Sequence, residues 1–124
     1  AATSRILDDL SSDAARHSID PGRIIEEAAR FYKLSPGVIL GRSRTQEIAL
    51  ARQVVMFLLI YELELSPTQV GRLLGGRDHA TVIHGAGKIN GEINEDGQLR
   101  QDVLNIKEAI FTLGATVHAE VAGG

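Results

Sequence analysis

Gly75-Gly76-Arg77-Asp78-His79-Ala80-Thr81-Val82-Ile83-His84 joins a glycine turn to the start of a capped helix. Paired glycines reach backbone conformations that other residues avoid, and an aspartate ahead of an apolar-periodic run is a helix N-cap. Just upstream, Ser66-Pro67-Thr68-Gln69-Val70-Gly71-Arg72-Leu73-Leu74 supplies a serine cap, a proline suited to the first helical position and a short helix. Two short helices around a glycine-containing turn make a helix-turn-helix, whose second helix offers its first residues to the DNA major groove.

Helical periodicity divides that second helix into two faces. Val82, Ala86, Ile89 and Ile93 fall on one side, while Arg77, Ala80, Thr81, His84 and Lys88 fall on the other. Groove chemistry gives the leading residues suitable roles. An aspartate accepts from a cytosine amino group, a histidine donates to guanine or thymine acceptors, a threonine offers a methyl and a hydroxyl, and an alanine touches a thymine methyl. From the residues alone, Asp78 is also a plain cap, His79 also a packed core histidine, and His84 also an ordinary surface residue. A metal pair of His79 and His84 lacks a third ligand. Gly85 and Gly87 inside the helix each cost ~1 kcal/mol relative to alanine, which leaves room for a helix that firms up on DNA.

The rest of the chain reads as helix as well. Each of the three prolines, Pro21, Pro36 and Pro67, follows a cap-type residue and marks a helix start. The first predicted helix after Asp20 buries Ile24, Ile25, Ala28, Ala29 and Tyr32; the second is a single turn, Val38-Ile39-Leu40, ended by Gly41. Thr45 or Gln46 opens a long apolar helix to about Leu63, crowded enough with Ile48, Ala49, Val54, Val55, Phe57, Leu58 and Leu59 to be buried on several faces. The recognition helix is expected to reach about Asn94. A last helix over Gly97–Leu113 carries Leu99, Val103, Ile106, Ile110 and Leu113, a stripe too short for a sustained coiled coil and read as core packing. The expected organisation is a connector helix at 1–18, an all-α helix-turn-helix domain of about six helices at 19–114, and a frayed tail at 115–124.

Composition narrows the function. With 124 residues, 44% of them hydrophobic, the chain has room for one small core and no catalytic module beside it. There are no cysteines, which removes disulfides and thiolate metal sites and suits a reducing compartment. The first residues lack the basic-then-apolar pattern of a secretory signal, and the apolar stretch Val54–Tyr61 is too short to span a membrane. A net charge of -3 opposes DNA binding in sum, but its distribution does not. Residues 42–90 hold six Lys/Arg against four Asp/Glu, whereas 91–124 hold two against six. The basic segment is the one that carries the helix-turn-helix. Gly85-Ala86-Gly87-Lys88-Ile89 imitates a phosphate loop but has Val82 at the required earlier glycine and Ile89 in place of Ser/Thr, so it is no nucleotide site.

The run GGRDHATVIH, the preceding LSPTQVGRLLG, the segment Ala51-Arg52-Gln53 and the basic loop Gly41-Arg42-Ser43-Arg44 resemble, in the same order, the C-terminal DNA-binding domain of the bacterial DnaA replication initiators. The resemblance extends from about Asp20 to Gly114. It implies major-groove reading by Asp78, His79 and Thr81, with Ala80 keeping only an apolar contact where the family has a threonine. It makes Arg44 the arginine that enters the adjacent minor groove, where a narrow A·T-rich groove concentrates negative potential. Arg52 and Gln53 match family phosphate contacts, and Arg42, His84 and Lys88 are the further phosphate candidates.

What the resemblance implies as partner is double-stranded DNA carrying an asymmetric A·T-rich box, together with regulatory proteins, in the bacterial cytoplasm at the nucleoid. It implies no cofactor here, since ATP would bind a separate domain. Ser43, Gln46, Ile60 and Gly87 stand where family members often carry basic residues, which predicts a weaker electrostatic contribution. Pro67-Thr68 displaces the usual leucine-proline at the start of the first motif helix. The competing readings are a helix-turn-helix repressor or transposon-associated protein, which would leave a palindromic footprint, and a protein-interaction module derived from a DNA-binding domain.

Overall fold

Caps and apolar periodicity set six helices in the computed structural model, which describes residues 19–123 and the side chains among them as far as Phe111. They are α1 (Pro21–Phe31), α2 (Pro36–Leu40), α3 (Gln46–Tyr61), α4 (Pro67–Leu73), α5 (His79–Glu92) and α6 (Gly97–Gly123), and no strand occurs among the described residues. The connector helix expected at 1–18 lies outside them. Prolines do open α1, α2 and α4. Asp20 caps α1 by accepting from Gly22 N at 2.9 Å. Ser66 and Gln69 form a reciprocal capping box on α4, at 3.2 and 2.9 Å. Ser35 makes no side-chain cap bond, and α2 is a single short turn.

The long helix α3 is the centre of the domain. Ala51 and every residue from Val54 to Leu59 are buried on it, so its apolar surface meets neighbours all round. Those neighbours are α1, α2, α4 and α5, and the contact with α5 is the most extensive between any two helices. Helix α6 packs on α1 through the predicted stripe: Leu99, Val103, Ile106 and Ile110 are all buried. A 2.6 Å ion pair from Lys107 Nζ to Glu62 Oε1 ties α6 to the end of α3. The bounds of α6 run to Gly123 and take in most of the stretch read as the tail.

The turn between α4 and α5 is a close fit. The N–H groups of Gly76 and Arg77 both donate to the carbonyl of Gly71, at 2.9 and 2.8 Å. Gly75 and Gly76 have φ of +81° and +83°, a region costly for side-chain-bearing residues. At Gly71 an added Cβ would stand 2.1 Å from the Arg77 carbonyl oxygen, so the chain can return over α4 only above a glycine. The predicted pair of helices and its turn are thereby held in one arrangement.

Candidate nucleic-acid interface

Recognition helix α5 buries Val82, Ala86 and Ile89 and half-buries Ile93, the face predicted to pack. Ala80, Thr81, His84 and Lys88 are exposed on the opposite face. Asp78 is the N-cap: its Oδ2 accepts from Ala80 N at 3.2 Å, which satisfies one of the free donors of the first turn. Capping leaves the carboxylate outside, with the side chain 65% exposed. His79 is 63% exposed, its Nδ1 lying 3.5 Å from Asp78 Oδ1. A packed core histidine is therefore excluded, and Asp78 is a cap that still faces solvent.

Beside the start of α5 lies the basic loop between α2 and α3. Arg42 and Arg44 are both exposed there. A cleft of ≈ 400 Å³ separates loop from helix, walled by Arg42, Arg44, Arg52 and Arg77 together with Asp78 and Thr81. A smaller hollow of ≈ 140 Å³ continues from Thr81 to His84 and Gln53. A third, of ≈ 280 Å³, runs on from Gln53 to Lys88 and ends between Glu92 and Asp96. Shared lining residues make these one groove along the α3–α5 seam, basic at the loop end and acidic at the other.

Two arginines of the cleft donate to backbone carbonyls of the protein itself. Arg52, a phosphate contact in the resemblance, is 8% exposed and its guanidinium bonds to backbone carbonyls at the rim of the cleft. Its Nε donates to Ile39 O at 2.8 Å, Nη1 to Ser43 O at 3.0 Å, and Nη2 to Gly41 O at 3.0 Å and Val38 O at 3.4 Å. An arginine within the apolar helix α3 needs acceptors, and carbonyls at the end of α2 and in the segment after it provide them. Arg77, predicted on the outward face of the recognition helix, precedes that helix and also turns back. Its Nη1 donates to Leu40 O at 3.4 Å and to Leu74 O, and its Nη2 donates to Gly41 O. Desolvation, then the nearby charges of Arg52 and Arg42, push the Arg77 guanidinium below its ordinary pKa; desolvation alone does so for Arg52. Sequence periodicity could not reveal this pair. The available signal was a short helix ending at Gly41 with carbonyls in need of donors.

The arrangement brings exposed Asp78, His79, Ala80 and Thr81 to one end of a helix, flanks them with exposed Arg42 and Arg44, and places Gln53, His84 and Lys88 along one groove. No group of three or more His, Cys, Asp or Glu able to hold a metal occurs among the described residues, and no helix among them is long and apolar enough to cross a membrane. The fold and the exposed helix end define a helix-turn-helix domain of the DNA-binding class. A family profile described as "Bacterial dnaA protein helix-turn-helix" matches residues 21–89. The chain belongs to that family. Chromosomal replication initiator proteins DnaA are similar to it: that of Roseiflexus castenholzii is 42% identical over 105 residues, covering 85% of this chain and 22% of that protein. Those of Herpetosiphon aurantiacus and Thermomicrobium roseum are 37% and 38% identical, covering 87% and 79% of this chain but 23% and 21% of theirs. The chain thus spans between a fifth and a quarter of the length of these curated relatives.

Proposed function

We propose that this domain binds double-stranded DNA sequence-specifically, as a monomer on an asymmetric A·T-rich box of the DnaA-box kind. It would thereby position a replication initiator at a bacterial origin, in the cytoplasm at the nucleoid. The observation that carries the reading is the solvent-facing end of α5, where Asp78, His79, Ala80 and Thr81 stand free of the core beside the arginine-walled cleft. In this reading Asp78, His79 and Thr81 meet base edges in the major groove and Ala80 meets a thymine methyl. Arg44 enters the next minor groove, while Arg42, Gln53, His84 and Lys88 hold phosphates and fix the register. ATP and the melting of DNA belong to a separate domain, and regulatory proteins would meet the initiator in the same compartment.

Selection of bound sites from a random duplex pool, followed by salt titration of the winner, tests this. An asymmetric box should emerge, with affinity falling as salt rises by a log–log slope of about -0.9 per phosphate held. On that box His79→Ala should lower discrimination against a one-base change by about 1–3 kcal/mol. Lys88→Ala should weaken correct and altered boxes equally and make the salt slope shallower by about one phosphate. A palindrome would favour a dimeric repressor, and no salt-linked affinity at all would leave an interaction module.

A further inference from the structure

The Gly41 carbonyl accepts from two guanidiniums that come from different parts of the chain, Arg52 of α3 and Arg77 of the turn before α5. Arg77 ties its own turn to two helix ends, since it also holds Leu40 O of α2 and Leu74 O after α4. The same approach is tight at the backbone, since a Cβ on Gly75 would lie 2.6 Å from Leu40 O. Gly41 directly precedes the loop that carries Arg42 and Arg44, and Arg77 directly precedes Asp78 and His79. Arg77 therefore links the start of the basic loop to the start of the recognition helix.

Resting on the DNA-binding reading above, we propose that Arg77 is a positioning residue that makes the loop arginines and the α5 base readers one rigid body. Two contacts fixed at the right separation engage together without a separate ordering cost for the second, so the tie couples Arg44 to the major-groove contacts. A planar guanidinium spreads its donors over two terminal nitrogens and reaches the ends of α2 and α4 together; a lysine keeps the charge but gathers its donors on one nitrogen and loses that geometry. Three of the four N–H groups on its two terminal nitrogens are directed at the protein itself, which is the arrangement of a tie.

The test uses Arg77→Lys in the full chain, with unfolding followed to establish that the variant folds. Without DNA, amide hydrogen exchange at Gly41–Arg44 should quicken on the order of tenfold while exchange in α3 and α5 stays as it was. With the selected box, affinity should fall on the order of tenfold at an unchanged salt slope, and the loss caused by Arg44→Ala should shrink about fivefold in the Arg77→Lys background. The loss caused by Lys88→Ala should be the same in both backgrounds. Wild-type affinity in Arg77→Lys would overturn the proposal, because charge alone would then suffice. So would a loss independent of Arg44, which is the signature of a merely structural side chain. Should Arg77→Lys fail to fold, Arg77→Gln is read in the same cycle, and an Arg44→Ala loss of undiminished size there would overturn the proposal equally. Failure of the unaltered chain to bind any duplex would instead remove the DNA-binding reading, whereas quickened loop exchange would still establish the tie.

Discussion

Helices α3 and α5 lie against each other along the longest seam of the domain, yet they are built on opposite rules. Helix α3 is apolar nearly all round and has no glycine between Gln46 and Tyr61; its one buried charge, Arg52, is bonded to carbonyls. Helix α5 carries glycines at 85, 87 and 91 and keeps one face in solvent. A scaffold gains by burying everything it can, whereas a reading head must leave side chains free and so draws its stability from the single face it packs. The difference predicts that changes in α3 act on folding, and that changes in α5 act on folding only where they touch α3.

The largest effect should come from α3. Leu58 is fully buried, and Leu58→Ala should destabilise the domain by about 2–5 kcal/mol, through lost transfer energy and the cavity left behind. Urea unfolding measures it, and a loss below about 1 kcal/mol would mean that α3 is not the centre of the core. Because the whole domain is lost, DNA affinity should fall only as far as the folded fraction does.

Gly85 is the place where the two helices constrain each other. A Cβ there would stand 2.5 Å from Met56 Sδ and 3.3 Å from Gln53 Cγ, both on α3. Gly85→Ala gains helix propensity but overpacks the seam, and a buried methionine yields only part of the space. The expected result is a net destabilisation of about 1–2 kcal/mol, with weaker binding as α5 is displaced beneath its base readers. A stabilised Gly85→Ala would show that the seam is looser than its geometry.

Much of this was legible in the chain. The three cap-proline pairs, the apolar crowd of α3 and the packed face Val82, Ala86 and Ile89 are local patterns, and each forms the element it predicts. The exposed start of α5 followed from an aspartate at a cap position. Arg52 and Arg77 were not legible as inward ties, because their acceptors lie on α2, on the loop after it and at the end of α4, reached only once the helices are assembled. The glycines illustrate the same limit more finely. Gly85 and Gly87 look alike as helix breakers in sequence, but in the assembled domain a Cβ at Gly85 would meet Met56 and Gln53 while one at Gly87 would meet nothing.

Gly87 gives the smallest effect and the sharpest contrast. An added Cβ there meets nothing within 4 Å, so Gly87→Ala acts on backbone freedom alone and should stabilise the domain by about 1 kcal/mol. Where that gain appears distinguishes two pictures of the reading head. A helix that forms only on DNA would turn the substitution into a gain in affinity of about fivefold, with unfolding unchanged. A helix already formed would show it in unfolding, with affinity the same within about twofold. The continuous α5 from His79 to Glu92, held at Gly85 against Met56, favours the second. Tighter binding without added stability would transfer α5 from the preformed to the DNA-ordered class, and would leave α3 as the sole rigid half of the comparison.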